Sequence, residues 1–212
     1  MKRIETDTGL NTSDDSTRER IVKSAREEFV AHGFTGSRVE RIAKQAGVNK
    51  AMIYYHFKSK ENLYHAVVEE TLSHSFERLH RRVSDTANLE DALREIVTTH
   101  TELMTGFEGF RPIMLRELAN PSSEFLDRLA AIIVNSGLPA TIRRRIESGI
   151  KVRAIRQVDI RQAVTAFMAM SIGYFLMAPL SERIFQVSDP DKFTEDRKKA
   201  VPDIFLNGIR TR

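Results

Sequence analysis

Ala43-Lys44-Gln45-Ala46-Gly47-Val48-Asn49-Lys50-Ala51-Met52-Ile53-Tyr54-Tyr55-His56-Phe57 is the stretch that decides the fold. A small residue, Ala43, leads by four positions to Gly47 and by ten to the apolar Ile53. Two short helices that cross through a tight turn need this pattern. The alanine lets the backbones approach, the glycine takes a positive φ, and the isoleucine fills the angle between them. A unit of this kind serves to place its second helix in the major groove of DNA.

The sequence on either side extends the unit. Ser16-Thr17-Arg18-Glu19 reads as a capping box that opens a first helix at Ser16. Ile21, Val22, Ala25, Phe29 and Val30 recur in it at helical spacing, and Gly33 ends it with Phe34 folding back on the last turn. Ser37-Arg38-Val39-Glu40 reads as a second capping box, opening a helix with Val39, Ile42, Ala43 and Ala46 inward. Asn49 caps the third helix and Ser59 a long fourth one carrying Leu63, Val67, Leu72, Phe76 and Leu79. Beyond it, helical signals recur at about 89–105, 111–119, 122–135, 139–149, 160–178 and 191–209, with no strand-like alternation. Pro202 is expected to start, kink or interrupt the last of these. The expected fold is all-α: a three-helix module over residues 1–58, ordered from about 16, joined through the long helix to a bundle over 59–212.

Charge follows the same division. Of the net +4, residues 17–60 carry ten Lys/Arg against four Asp/Glu, residues 61–212 carry 21 of each sign, and the first sixteen residues are net −2. The positive excess therefore lies on the segment with the DNA-binding pattern, as a phosphate-binding module requires. With no cysteine, disulfides, Cys-ligated zinc and a cysteine nucleophile are excluded. The polar N-terminus is unlike a signal peptide, and no apolar run of about 18 residues suggests a membrane span, so a cytoplasmic protein is expected.

Particular residues carry the chemistry. Asn49, Lys50 and Ala51 begin the third helix, where side chains and free N–H groups can meet base edges and phosphates. Ser37 and Arg38 open the second helix, beside an adjacent phosphate. Met104, Phe107, Phe110, Met114, Phe125, Phe167, Met170 and Tyr174 concentrate soft and aromatic side chains of the kind that line an adaptable apolar pocket, or fill a core. Ala163, Ala166, Gly173 and Met177 form a small-residue stripe suited to close helix approach in a dimer, with Phe205 and Ile209 on the final helix as its companions. His65, His74, His80 and His100, at spacings of 9, 6 and 20, do not stack two imidazoles one turn apart, so no metal site and no cofactor are expected.

The stretch from Ile21, Ala25, Phe29 and Gly33-Phe34 through Ile42-Ala43-Lys44-Gln45-Ala46-Gly47-Val48 to Tyr54-Tyr55-His56-Phe57-Lys58-Ser59-Lys60-Glu61-Asn62-Leu63 closely resembles the DNA-binding domain of the TetR family. The resemblance covers about fifty residues at fixed spacings; after residue 85 only length and helix count are similar. It implies a homodimeric, ligand-responsive regulator, usually a repressor, with the third helix as recognition helix on a palindromic double-stranded operator. It also implies an effector pocket and dimer face in residues 85–212. Tyr54 and His56 match family positions that bond phosphates, Tyr55 lies between them, and Lys60 matches a backbone-clamping lysine. Lys50 departs from the small or polar residue usual there, which concerns operator sequence. Two other readings remain: a ligand-independent dimeric DNA-binding or architectural protein, and an α-helical enzyme. No nucleophile–base pair or phosphate loop supports the enzyme.

Overall fold

The computed structural model describes residues 9–106, 111, 114, 117–119 and 124–211, with side chains from residue 14 onward. Nine helices are described: α1 (Gly9–Gly36), α2 (Val39–Ala46), α3 (Lys50–Phe57), α4 (Lys60–Asp85), α5 (Leu89–Gly106), α6 (Glu124–Asn135), α7 (Leu138–Lys151), α8 (Ile160–Ile184) and α9 (Pro190–Ile209). The described residues contain no strand, only an isolated bridge between Ile155 and Arg210. The fold is all-α. It divides into two compact units, one up to Glu70 and one from Thr71 onward, so the division falls inside α4.

In the first unit, Ile21, Val22, Ala25 and Phe29 of α1 are buried with Ile42 and Ala43 of α2, Ile53 and Phe57 of α3, and Leu63, Tyr64 and Val67 of α4. These are the positions that the 3.6-residue period turns inward. Gly33 takes φ 63 and ψ 177, which breaks the helical path and lets Phe34 return to stack on Phe29 at 6.2 Å. Both rings meet Tyr64 edge-on, at 5.0 Å from Phe29 and 5.2 Å from Phe34. Gly47 ends α2 at φ 67, and the Val48 amide closes the turn on the Ala43 carbonyl at 3.0 Å. Asn49 and Ser59 cap α3 and α4 as expected, accepting from the amides of Met52 at 2.9 Å and Asn62 at 3.0 Å.

Three local readings are corrected. Ser16 is not an N-cap: α1 already runs from Gly9, so the capping box lies within the helix. Val30 is exposed rather than inward, one position off the buried stripe of Ala25 and Phe29. Pro202 neither starts nor interrupts its helix: α9 opens at Pro190, capped by Asp189, and continues past Pro202, which is itself buried.

In the second unit, Leu79 and Val83 of α4, Leu93, Ile96 and Val97 of α5, Phe125 of α6, Ile142 and Ile146 of α7, Phe167 and Phe175 of α8, and Val201 and Phe205 of α9 form the core. Arg145 ties the α4–α5 turn, donating to the carbonyls of Val83 (2.6 Å), Thr86 (2.8 Å) and Asn88 (2.8 Å). The helix expected over 160–178 runs on to Ile184 through Pro179, because the buried Phe175 and Ala178 hold it there. Contrary to the sequence reading, α8 has the length and apolarity of a membrane span, although its buried residues belong to this core. Of the helix expected at 111–119, residues 111, 114, 117 and 118 are helical and 112, 113, 115 and 116 lie outside the described residues.

Candidate nucleic-acid interface and effector cavity

The entry to α2 is organised by a buried carboxylate. Glu28 accepts from the Arg38 amide at 2.9 Å and from Arg41 Nε at 2.7 Å, and Arg41 also donates to the Gly36 carbonyl at 2.8 Å. Burial would raise the Glu28 carboxyl, but the Arg41 and Arg38 hydrogen bonds and the nearby charges of Arg41 and His32 hold it below the usual carboxylate range. Arg38 therefore occupies the N-cap position and Glu28 satisfies its amide from another helix. This displaces Ser37, expected both as cap and as DNA contact. Its hydroxyl donates to the Phe34 carbonyl at 2.8 Å and the residue is buried, so its side chain is closed to a ligand. Arg38 is exposed, as expected.

The solvent face of α3 is the richest surface in this unit. Ala51, Tyr54, Tyr55 and Lys58 follow one another at i, i+3, i+4 and i+7 and all are exposed, as are Asn49 and Lys50 beside them. Lys50 ion-pairs with Glu40, which raises the lysine and lowers the acid, and its Nζ lies 5.8 Å from the Tyr54 ring. Lys58 lies 5.7 Å from the Tyr55 ring and donates to the Tyr55 carbonyl at 3.0 Å. The sequence reading did not single out Lys58. Its place one turn after Tyr54 was the available signal.

Two expected contacts are placed differently. The His56 side chain is only 6% exposed, with Nε2 3.5 Å from the Asp14 carboxylate of α1, so its imidazole is covered rather than presented. The reason is that α1 begins earlier than expected and brings Asp14 alongside it. Lys60 points inward: Nζ donates to the Ser37 carbonyl at 2.7 Å and lies 4.8 Å from the Phe34 ring. Burial lowers its pKa, against the pull of the Glu28 charge.

The second unit holds a cavity of about 150 Å³. Its walls are Leu93, Ile96 and His100 from α5, Leu138, Ile142 and Ile146 from α7, Val164, Phe167 and Met168 from α8, with Phe76, Ile133, Pro139 and Phe205 completing them. Of the expected pocket residues only Phe167 lines it. Met104, Met114 and Phe125 are buried as core. Met170 and Tyr174 are engaged elsewhere: Arg197 stacks on the Tyr174 ring at 4.3 Å and donates to the Met170 carbonyl at 2.5 Å. Phe107 and Phe110 lie outside the described residues. The cavity forms where branched aliphatic side chains leave a gap, so an enrichment in Met and aromatics did not mark it.

The expected dimer residues divide in two. Phe205 and Ile209 are buried within the chain, Phe205 packing on Phe167 at 5.1 Å, and Ala163 is buried as well. Their exposed neighbours are correspondingly different: Ile204, one position from Phe205, is 60% exposed. Ala166 and Met177 are exposed, and a Cβ built on Gly173 would meet nothing within 4 Å. These residues belong to a longer stripe on α8, Ala166, Met170, Gly173, Met177, Leu180 and Ile184, at alternating spacings of four and three. Leu180 and Ile184 are large, more than half exposed, and were not anticipated.

A buried-core helix-turn-helix with a cationic, aromatic third helix, followed by a helical bundle with its own cavity, defines a DNA-binding transcriptional regulator. Comparison with known proteins agrees. Residues 21–67 match the family described as Bacterial regulatory proteins, tetR family. The chain is 30% identical over 145 residues to the Nucleoid occlusion factor SlmA of Marinomonas sp. (strain MWYL1), covering 68% of each chain. It is 27% identical over 178 residues to the Fatty acid metabolism regulator protein of Bacillus subtilis (strain 168), covering 79% of this chain and 91% of that one. The fold is similar to the crystal structure of the transcriptional regulator FadR from Bacillus subtilis in complex with stearoyl-CoA, with a TM-score of 0.64 at 22% identity over 91% of this chain and 99% of that one. The chain belongs to the TetR family.

Proposed function

We propose that this protein is a homodimeric repressor that binds a palindromic operator through α3 and is released by a small, largely apolar effector held in the second unit. The observation that carries the reading is the exposed face of α3, where Asn49, Lys50, Ala51, Tyr54, Tyr55 and Lys58 stand over a core that Ile53 and Phe57 fix from beneath. Lysine and tyrosine suit phosphate and base-edge contacts, and a short helix capped at Asn49 offers free amides at its first turn. Arg38 adds a cation at the start of α2, and Lys60 reaches the backbone by releasing the Ser37 carbonyl. His56 supports this surface by packing. The functional boundary falls near residue 58, with the effector and dimer parts beyond it.

The α8 stripe supplies a dimer face. Its exposed apolar residues and open Gly173 suit close approach of a second copy. The cavity favours a ligand-responsive regulator over a ligand-independent one, and the similar Bacillus regulator crystallised with stearoyl-CoA supports the existence of an effector. An effector acts only through its differential affinity for two states. It would stabilise a dimer whose α3 helices no longer match the spacing of about 34 Å between successive major grooves.

In vitro selection from a random-sequence duplex library, using the full chain, tests the operator reading. The expected product is an inverted repeat with half-sites about one helical turn apart or a multiple of it. Enrichment of a single, asymmetric half-site overturns the dimeric arrangement.

A further inference from the structure

The cavity says more about its ligand than that it is apolar. Every lining side chain but one is a hydrocarbon or a thioether; the exception is His100. His100 is buried, and its Nδ1 lies 2.7 Å from the Ser171 hydroxyl, the one hydrogen bond its ring makes among the described residues. Among the described residues no arginine, lysine, aspartate or glutamate lines the walls, so none of them neutralises a charged ligand. An ionised group moved into such surroundings loses its hydration without compensation. The volume is the second constraint. A dry apolar cavity of about 150 Å³ lined by Leu, Ile and Phe accommodates a benzene-sized molecule, and this one has the same volume and the same kind of wall.

Resting on the reading of this chain as ligand-responsive, we infer that the cavity takes a small uncharged molecule, about the size of one aromatic ring, carrying a single hydrogen-bonding group directed at the His100 imidazole. The imidazole suits a neutral partner. Burial pushes its pKa down to about 4, so at neutral pH it is uncharged and gains nothing from an anion. With Nδ1 committed to Ser171, a hydrogen bond to a ligand would have to come from the other ring nitrogen. Val164, Phe167 and Ile142 close around the ring of that ligand, and their bulk sets its size.

The test uses calorimetry on the full chain with toluene, benzyl alcohol, benzoate and stearoyl-CoA as probes. Toluene and benzyl alcohol should bind, with benzyl alcohol tighter by roughly three- to tenfold, the worth of one net hydrogen bond. Benzoate should bind more than about a hundredfold more weakly than the alcohol at pH 7, the cost of a buried unpaired carboxylate. His100→Leu should bring toluene and benzyl alcohol to equal affinity. Val164→Phe, which fills the void, should abolish binding of both while its thermal melt stays cooperative. Benzoate binding as well as the alcohol, or no binding of either neutral probe, overturns the proposal. Titrating the same probes onto operator-bound protein separates the two readings. If stearoyl-CoA alone binds and releases DNA, the proposed ligand class falls and ligand-responsive regulation stands. If the neutral probes bind in the expected order without releasing DNA, the ligand class stands and release by this cavity falls.

Discussion

The two units of this protein use their interiors in opposite ways. In the first, the helices close on apolar side chains and one paired carboxylate: Ile53 is fully buried beneath α3, and the Glu28 carboxylate is satisfied by Arg38 and Arg41. Its proposed DNA contacts lie on the outside, on a surface that the buried core supports. In the second unit the interior is left partly empty, and the void of about 150 Å³ is where function is proposed to lie. Close packing transmits position and a cavity admits a ligand, so one chain needs both kinds of core.

Matched truncations in the two cores should show the largest difference. Ile53→Ala should cost about 2–5 kcal/mol and abolish operator binding, because Ile53 is fully buried beneath α3. Ile142→Ala removes atoms that already face empty space on one side, so its cost should lie near the lower end, about 2 kcal/mol. Urea unfolding of both variants, with operator binding followed by fluorescence anisotropy, measures the contrast. Equal costs would mean that the cavity is not a standing feature of the free protein.

Acidification should separate the units next. The pKa of His100 falls from 6.5 to about 4 on folding, so the folded state refuses a proton that the unfolded chain accepts. Its contribution is complete above 6.5, erodes as the pH falls from 6.5 towards 4, and amounts to about 3 kcal/mol. The pKa of Glu28 is lowered on folding from 4.5, so its contribution is present above 4.5 and is lost only as the pH falls through the depressed value. Between pH 6.5 and 4.5 the second unit should therefore weaken while the first holds. Thermal melts across this range should show the loss in wild type and a flatter profile in His100→Leu. A flat wild-type profile would remove the histidine from the account.

Gly173→Leu should leave the isolated chain folded, since a side chain there meets nothing of its own, while weakening the dimer at least about tenfold. Light scattering across a concentration series reads this. If the variant dimerised as wild type does, the interface would have to move off the α8 stripe. The smallest expected effect concerns Lys60. Lys60→Ala should reduce the slope of log K against log salt by about one unit per contact, about two per dimer, without changing sequence preference. An unchanged slope would assign Lys60 to holding the Ser37 carbonyl rather than to DNA.

The difference between the units also explains what could be read in advance. Short helices joined by tight turns obey local rules. Gly47 had to take a positive φ, Asn49 and Ser59 had to cap, and Ile53 had to fill the crossing, so the helix-turn-helix and most of the exposed α3 face were readable from spacing alone. What spacing did not show there depended on a partner distant in sequence. Glu28 reaches Arg38 across ten residues and displaces Ser37 as the cap. Asp14 lies beside His56, and the Ser37 carbonyl draws Lys60 inward. In the second unit the same limit applies to the whole site. Tyr174 looked like a pocket residue and stacks under Arg197, and Met170 falls on the α8 stripe, whereas Ile142 and Val164, not singled out in the sequence, help to enclose the cavity. Periodicity assigns a residue to the inward face of its helix, and the sequence alone therefore determined most of the helices, the caps at Asn49 and Ser59 and the exposed α3 face proposed to meet DNA. A void is a property of how several inward faces meet, and no single helix encodes it. The position of the cavity, its one polar group and the pairing of the buried charges were settled only when the helices packed.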